Sequence, residues 1–141
     1  MIFLLDSNAF SDLMRKDPRV EAYLAALGSN DKVMICSIVR GEILYGLARL
    51  PQGRRRDALA KQAAPLFASI ACQPVPESAG DAYANIKRTR EQQGLRLDEN
   101  DLWIAATASA VGATLVTRDS DFSSVDGLAT TDWSASPQVR D

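Results

Sequence analysis

The chain has 141 residues, enough for one domain with a buried core, and 46% hydrophobic with 24% charged residues is an ordinary globular balance. It contains no histidine and two cysteines, which excludes Ser-His-Asp and Cys-His catalysis, a histidine general base and a His-ligated zinc. Any metal site must then use oxygen ligands, which suit Mg²⁺ or Mn²⁺, and a net charge of −2 speaks against a nonspecific nucleic-acid binder.

No apolar run approaches the ~20 residues of a membrane span. The start, Met-Ile-Phe-Leu-Leu, lacks the basic flank of a signal peptide and meets an acid at Asp6. The expected location is the cytoplasm, without membrane contact and with Cys36 and Cys72 as buried free thiols.

Ile2 to Leu5 predicts a short strand, apolar on both faces. A helix follows from about Asn8 to Arg15. A second opens at Asp17-Pro18, with Asp as N-cap and Pro in the first helical position, and stops at Gly28. Lys32 to Ser37 predicts another strand. Ser37 is placed to cap the helix written in "IVRGEILYGLARL", which Pro51-Gln52-Gly53 breaks. Arg54 to Ala71 reads as a long helix that Pro65 is expected to kink or interrupt. Gln73 to Pro76 is a short extended piece, and Ser78 to Gln93 a helix ended by Gly94. Leu102 to Val111 is an alanine-rich helix ended by Gly112. "ATLVT" (Ala113 to Thr117) predicts a strand and Gly127 to Thr130 a short edge strand.

Strands alternate with helices, and the strands are continuous apolar runs. Both features predict an α/β fold with a parallel sheet covered on its two faces. One domain is expected over residues 1–133, followed by a polar tail over 134–141.

In such a sheet ligands bind beyond the carboxyl ends of the strands. Asp6 ends the first strand, and Asp119 in "TRDSDF" follows the end of "TLVT". Each also has a plain structural reading: Asp6 or Ser7 as a helix cap, Asp119 as an Asx-turn. Glu42 is harder to assign to structure alone. Its neighbours at i−4, i−3, i+3 and i+4 are Ile38, Val39, Tyr45 and Gly46, so it has no local ion pair on a face expected to turn inward. The alternative is an edge position from which the side chain reaches water. Asp101 opens a helix whose same face carries Ala105, Ala108 and Gly112, small residues that let it lie close to the sheet. First-turn dipole complementarity also favours an acid there. Four converging carboxylates require a cation, and a hard metal held without a protein nucleophile matches phosphodiester hydrolysis by activated water.

In order and near spacing, "LLDSN", "SIVRGEILYG", "NDLWIAATA" and "GATLVTRDSDF" resemble the PIN-domain ribonucleases. The likeness is to VapC-type toxins of type II toxin–antitoxin pairs and their FitB-like relatives, and it spans nearly the whole chain. "GLARLPQGRRRDAL" is similar to the helix and loop after the family's acidic Glu. The resemblance implies a three-layer α/β/α fold around a central parallel sheet of about five strands. It implies an Mg²⁺- or Mn²⁺-dependent endoribonuclease that cleaves structured RNA such as tRNA or rRNA. Asp6, Glu42, Asp101 and Asp119 match the acidic quartet, with Asp6, Asp101 and Asp119 as metal ligands and Glu42 acting on water. Asn8 and Thr117 match polar positions beside the acids, and Ser7 stands where Thr is commoner. Asp121 is an extra acid near the cluster, and Asp98 a rival helix cap.

Implied partners are a VapB-like cognate antitoxin that blocks the acidic groove, RNA as substrate, promoter DNA through the antitoxin complex, and a second copy in a homodimer. Arg54, Arg55 and Arg56, with Lys87, Arg88, Arg90 and Arg96, are candidate RNA phosphate contacts, or the solvated helix faces that charge runs usually form. A competing reading from another class is a non-catalytic PIN-like module that acts through antitoxin pairing and promoter DNA. A haloacid-dehalogenase-like phosphatase fails at its defining place, because the position two after Asp6 is Asn8.

Overall fold

The computed structural model describes residues 1–135. Its strands are β1 (Ile2–Leu5), β2 (Lys32–Cys36), β3 (Ala71–Gln73), β4 (Thr114–Val116) and β5 (Thr130–Thr131), with the most buried apolar runs in the central β1 and β4 and the edges β3 and β5 more open. All pair in parallel, in the order β3-β2-β1-β4-β5. Leu4, Leu5, Ile35 and Leu115 have no exposed surface. Each such side chain contributes about 1.5–3 kcal/mol by leaving water.

The helices are α1 (Ser7–Met14), α2 (Pro18–Ala25), α3 (Ser37–Ala48), α4 (Arg54–Ser69), α5 (Glu77–Gln92) and α6 (Glu99–Ala110), with a 3-10 turn over Ser120–Ser124. From β1 the chain steps outward to β2 and β3, then returns across β1 to β4. Parallel strands are joined by right-handed crossovers, so the reversal sends α5 and α6 to the face opposite α1–α4. Packing agrees: α1 touches α2, α3 and α4, while α5 lies along α6. The reversal leaves a crevice between the carboxyl ends of β1 and β4, the usual ligand position in open α/β sheets. Leu5 pairs with Val116 there, and the Asp6 N–H donates to the Val116 carbonyl at 3.1 Å.

Several expectations shift. Pro65 does not interrupt α4, which runs unbroken through it. A proline at this place removes one bond to the carbonyl four residues back. That carbonyl belongs to exposed Lys61, where water can take the bond, while Ala63, Leu66 and Phe67 hold the inner face on the core. Ser37 does not cap α3. It is the first helical residue, and the cap position is Cys36, without a side-chain bond. The extended piece expected at Gln73 to Pro76 begins earlier, as β3, and the last strand is Thr130–Thr131 rather than Gly127 to Thr130. Of the two free thiols Cys36 is buried and Cys72 exposed, because β3 is an edge strand. Trp133 is buried against Phe3, ring centroids 5.4 Å apart, so the packed chain extends at least that far. The polar tail expected over 134–141 lies, from 136 onward, outside the described residues.

Candidate active site

β1 delivers Asp6 to the crevice, where it is 4% exposed. The expectation that Ser7 or Asn8 serves the start of α1 and frees Asp6 is overturned, because Asp6 itself takes the cap: Oδ1 accepts from the Ala9 N–H at 2.8 Å. Capping therefore does not go to Ser7 or Asn8, and only Oδ2 of Asp6 is left unengaged by the cap. Burial pushes the Asp6 carboxyl above its ordinary value, and the nearby charge of Asp119 adds to this. The Thr117 hydroxyl, the Ala9 N–H and the Arg118 guanidinium act in the opposite direction.

Ser7, freed from capping, points across to α3. Its Oγ donates to Glu42 Oε1 at 2.7 Å. Glu42 is half-buried rather than sunk in the core, so its partner is a hydroxyl from another helix. It lines two open depressions of about 340 and 560 Å³, the first shared with Ser7 and Leu47, the second with Tyr45 and Asn100.

Asp101 is the third residue of α6 and half-buried, and among the described residues no side-chain hydrogen bond holds it. Its helix lies close to the sheet as the small residues required: Ala105 and Ala108 are fully buried. Burial, then the charges of Glu42, Asp98, Asp119 and Asp6, push its carboxyl up to about 6. That order of causes shows the four expected acids gathered within electrostatic reach of one another. Asp98 joins them by charge; it occupies the cap position of α6 without a side-chain cap bond.

Asp119 follows β4. Its N–H donates to Thr117 Oγ1 at 3.0 Å, and its Oδ1 accepts from the Asp121 N–H at 2.9 Å, the expected Asx-turn. Thr117 is buried beside it, whereas the carboxylate of Asp121 and the side chain of Asn8 are exposed.

The α6 start is pinned from outside the crevice. Lys87 and the Tyr83 hydroxyl both engage Glu99, which raises the Lys87 ammonium and lowers the Glu99 carboxyl, and Tyr83 stacks on Trp103 at 4.1 Å. Arg90 is 4% exposed; its guanidinium donates to the Arg96 carbonyl and to Ser124 Oγ, both at 3.1 Å. It ties the segment before α6 to the 3-10 turn after Asp119. Of the cations expected to meet RNA, Arg90 is buried and Lys87 is paired with Glu99 while its side chain stays 41% exposed. Arg54, Arg55, Arg88 and Arg96 are exposed and Arg56 is half-buried.

Ser7 as the partner of Glu42 escaped sequence reasoning, since 35 residues separate them. So did a buried acid outside the quartet, Asp12, which binds Arg15 and Arg118. Its only trace in sequence is an acid at helical spacing from Ala9, on the inward face.

The donor set is all oxygen and mutually repelling, which fits a hard divalent ion in charge and ligand type. Among the described residues, no three carboxylate or thiol groups stand close enough as placed to hold an ion together.

The PIN domain family profile matches residues 3–128. The chain belongs to the PIN-domain family. Toxin FitB of Neisseria gonorrhoeae is 33% identical to this PIN domain over 84% of the chain and 88% of FitB. Ribonuclease VapC2 of Rickettsia felis is 28% identical over 94% of the chain and 98% of its own. A solved structure of VapBC2 from Rickettsia felis bound to a DNA fragment from its promoter superposes with TM-score 0.85 at 27% identity. It covers 94% of this chain and 99% of that one. The five-stranded parallel sheet and six helices are the PIN-like α/β/α arrangement. Among the described residues no helix is long and apolar enough to cross a membrane.

Proposed function

We propose that this PIN domain is a metal-dependent endoribonuclease, the toxin of a toxin–antitoxin pair, cleaving structured RNA such as tRNA or rRNA. The observation that carries this reading is the electrostatic convergence of Asp6, Glu42, Asp101 and Asp119 on the crevice between β1 and β4. The neighbouring acids add to burial in raising the proton affinity of Asp101, as Asp119 does for Asp6, a cost that a bound cation would relieve. The relatives' names support the toxin role and the ribonuclease activity.

Asp6, Asp101 and Asp119 would hold Mg²⁺ or Mn²⁺. Such an ion, when bound, activates water and stabilises charge on the phosphate and the leaving oxygen. Asp6 is held by the Ala9 N–H and fixes the floor. Glu42 has Oε1 engaged by Ser7, which leaves Oε2 to take the proton of the attacking water. The floor is acidic, so a bound cation would strengthen its hold on the RNA backbone.

A cognate antitoxin is the proposed partner, with promoter DNA reached through that complex, as the Rickettsia felis VapBC2 structure suggests. A homodimer and a cytoplasmic setting complete the reading. Purified protein freed of partner should cut RNA with Mg²⁺ or Mn²⁺ and stop in EDTA. Undiminished cutting by Asp101→Asn would overturn the site, and cutting in EDTA would overturn the metal.

A further inference from the structure

Among the described residues two carboxylates are buried, Asp6 and Asp12, and the acid site uses only the first. Asp12 lies on α1, and its side chain is 5% exposed. A buried ionised carboxylate needs a counter-charge, and Arg15, one turn on, supplies it with an Nη2–Oδ1 distance of 2.6 Å. Arg118 brings a second guanidinium to the same oxygen at 3.7 Å, too far for a hydrogen bond. One carboxylate and two guanidiniums leave a surplus positive charge.

That surplus sits beside the acids. Arg118 lies in the chain between Thr117 and Asp119, and its charge reaches Asp6, where it favours the ionised form. The other acid lining the small cavity between Asp12 and Arg118 is Asp132, whose Oδ1 already accepts from the Ser134 N–H and hydroxyl. Asp12 is the ion-pair partner of Arg118 among the described residues, and the Arg118 side chain remains 45% exposed. A guanidinium has five donors in a fork that matches two phosphate oxygens. Here it is drawn toward Asp12 by charge, without a hydrogen bond, and its donors stay open.

We propose that Arg118 binds a backbone phosphate of the RNA next to the acid site, and that buried Asp12 is the positioning residue that holds it there. This rests on the ribonuclease reading above, and it assigns the cation to the α1 side of the crevice rather than to the arginine run at the start of α4.

The test is binding of a fluorescein-labelled single-stranded RNA oligonucleotide, followed by anisotropy across a salt series in EDTA, which keeps a metal-dependent enzyme from consuming the probe. Arg118→Ala should weaken binding about tenfold at low salt and flatten the slope of log Kd against log salt by about 0.7, the share of one single-strand phosphate contact. Arg118→Lys should restore the slope. Asp12→Asn adds a net positive charge yet should weaken binding, because the anchor is gone; tighter binding by this variant overturns the role of Asp12. Wild-type affinity and slope in Arg118→Ala overturn the phosphate site. A wild-type protein that binds through Arg118 but never cuts RNA overturns the proposed activity and leaves this site standing.

Discussion

Asp6 and Asp101 are the same side chain at the same end of one sheet, and the fold treats them oppositely. Asp6 closes β1, is 4% exposed, and is held by the Ala9 N–H. Asp101 stands in the first turn of α6, half-buried, opposed by four other carboxylates and pushed up to about 6. Burial raises both carboxyls, but hydrogen bonds from the Thr117 hydroxyl and the Ala9 N–H oppose the shift at Asp6, whereas neighbouring carboxylates add to it at Asp101. On the proposed metal-dependent reading, Asp6 would be the preset ligand and Asp101 the one whose charged form the cation stabilises.

The most severe way to break the contrast is to remove the cation: cleavage of an RNA substrate should cease in EDTA and return with Mn²⁺ or Mg²⁺. Next, Asp6→Asn and Asp101→Asn should each lower cleavage by more than about a hundredfold, beyond the ~10–100-fold that losing a supporting partner costs. Calorimetric Mn²⁺ binding should fall with them. The two sites then separate in stability. Asp6→Ala loses a helix cap and should cost about 1 kcal/mol in denaturant melts, whereas Asp6→Asn keeps a capping oxygen and Asp101→Ala removes none. Ser7→Ala should reduce kcat about tenfold with KM little changed, because Glu42 loses its orienting bond and not the substrate.

The smallest effect concerns pH in metal-free protein. The Asp101 carboxyl is raised from 3.8 to about 6 on folding, so the folded state binds its proton more tightly. Stability from that proton is present below about 4 and is lost as pH rises through about 6. Asp101→Asn should therefore melt slightly higher than wild type at neutral pH, and the gap should close on acidification. A gap that is the same at every pH would mean that Asp101 carries no repulsion.

Much of this was legible in the chain. β1 and β4 are continuous apolar runs because both their faces are covered, and an acid directly after such a run must emerge at a strand end. Glu42 stood out because none of its helical neighbours could pair with it. What sequence spacing misjudged was local competition. Asp6, Ser7 and Asn8 are all cap formers, and only the approach of α3 shows that Ser7 is wanted by Glu42 and that Asp6 takes the cap. Pro65 is expected to kink or interrupt α4 because propensity carries no information about packing, yet the helix runs through it, and its buried side outweighs one lost bond. The charge runs around Lys87 and Arg90 read as one basic surface, but folding pairs one with Glu99 and buries the other.

By itself, then, the sequence determined the layered α/β class, the absence of histidine chemistry and the four acids, since these follow from residue type and short-range periodicity. The tertiary structure decided which acid takes the helix cap and which is crowded by other carboxylates, which arginines are committed to the fold, and that Arg118 pairs with buried Asp12. Those outcomes depend on distances between segments far apart in the chain, which burial and charge set only once the sheet has closed around them.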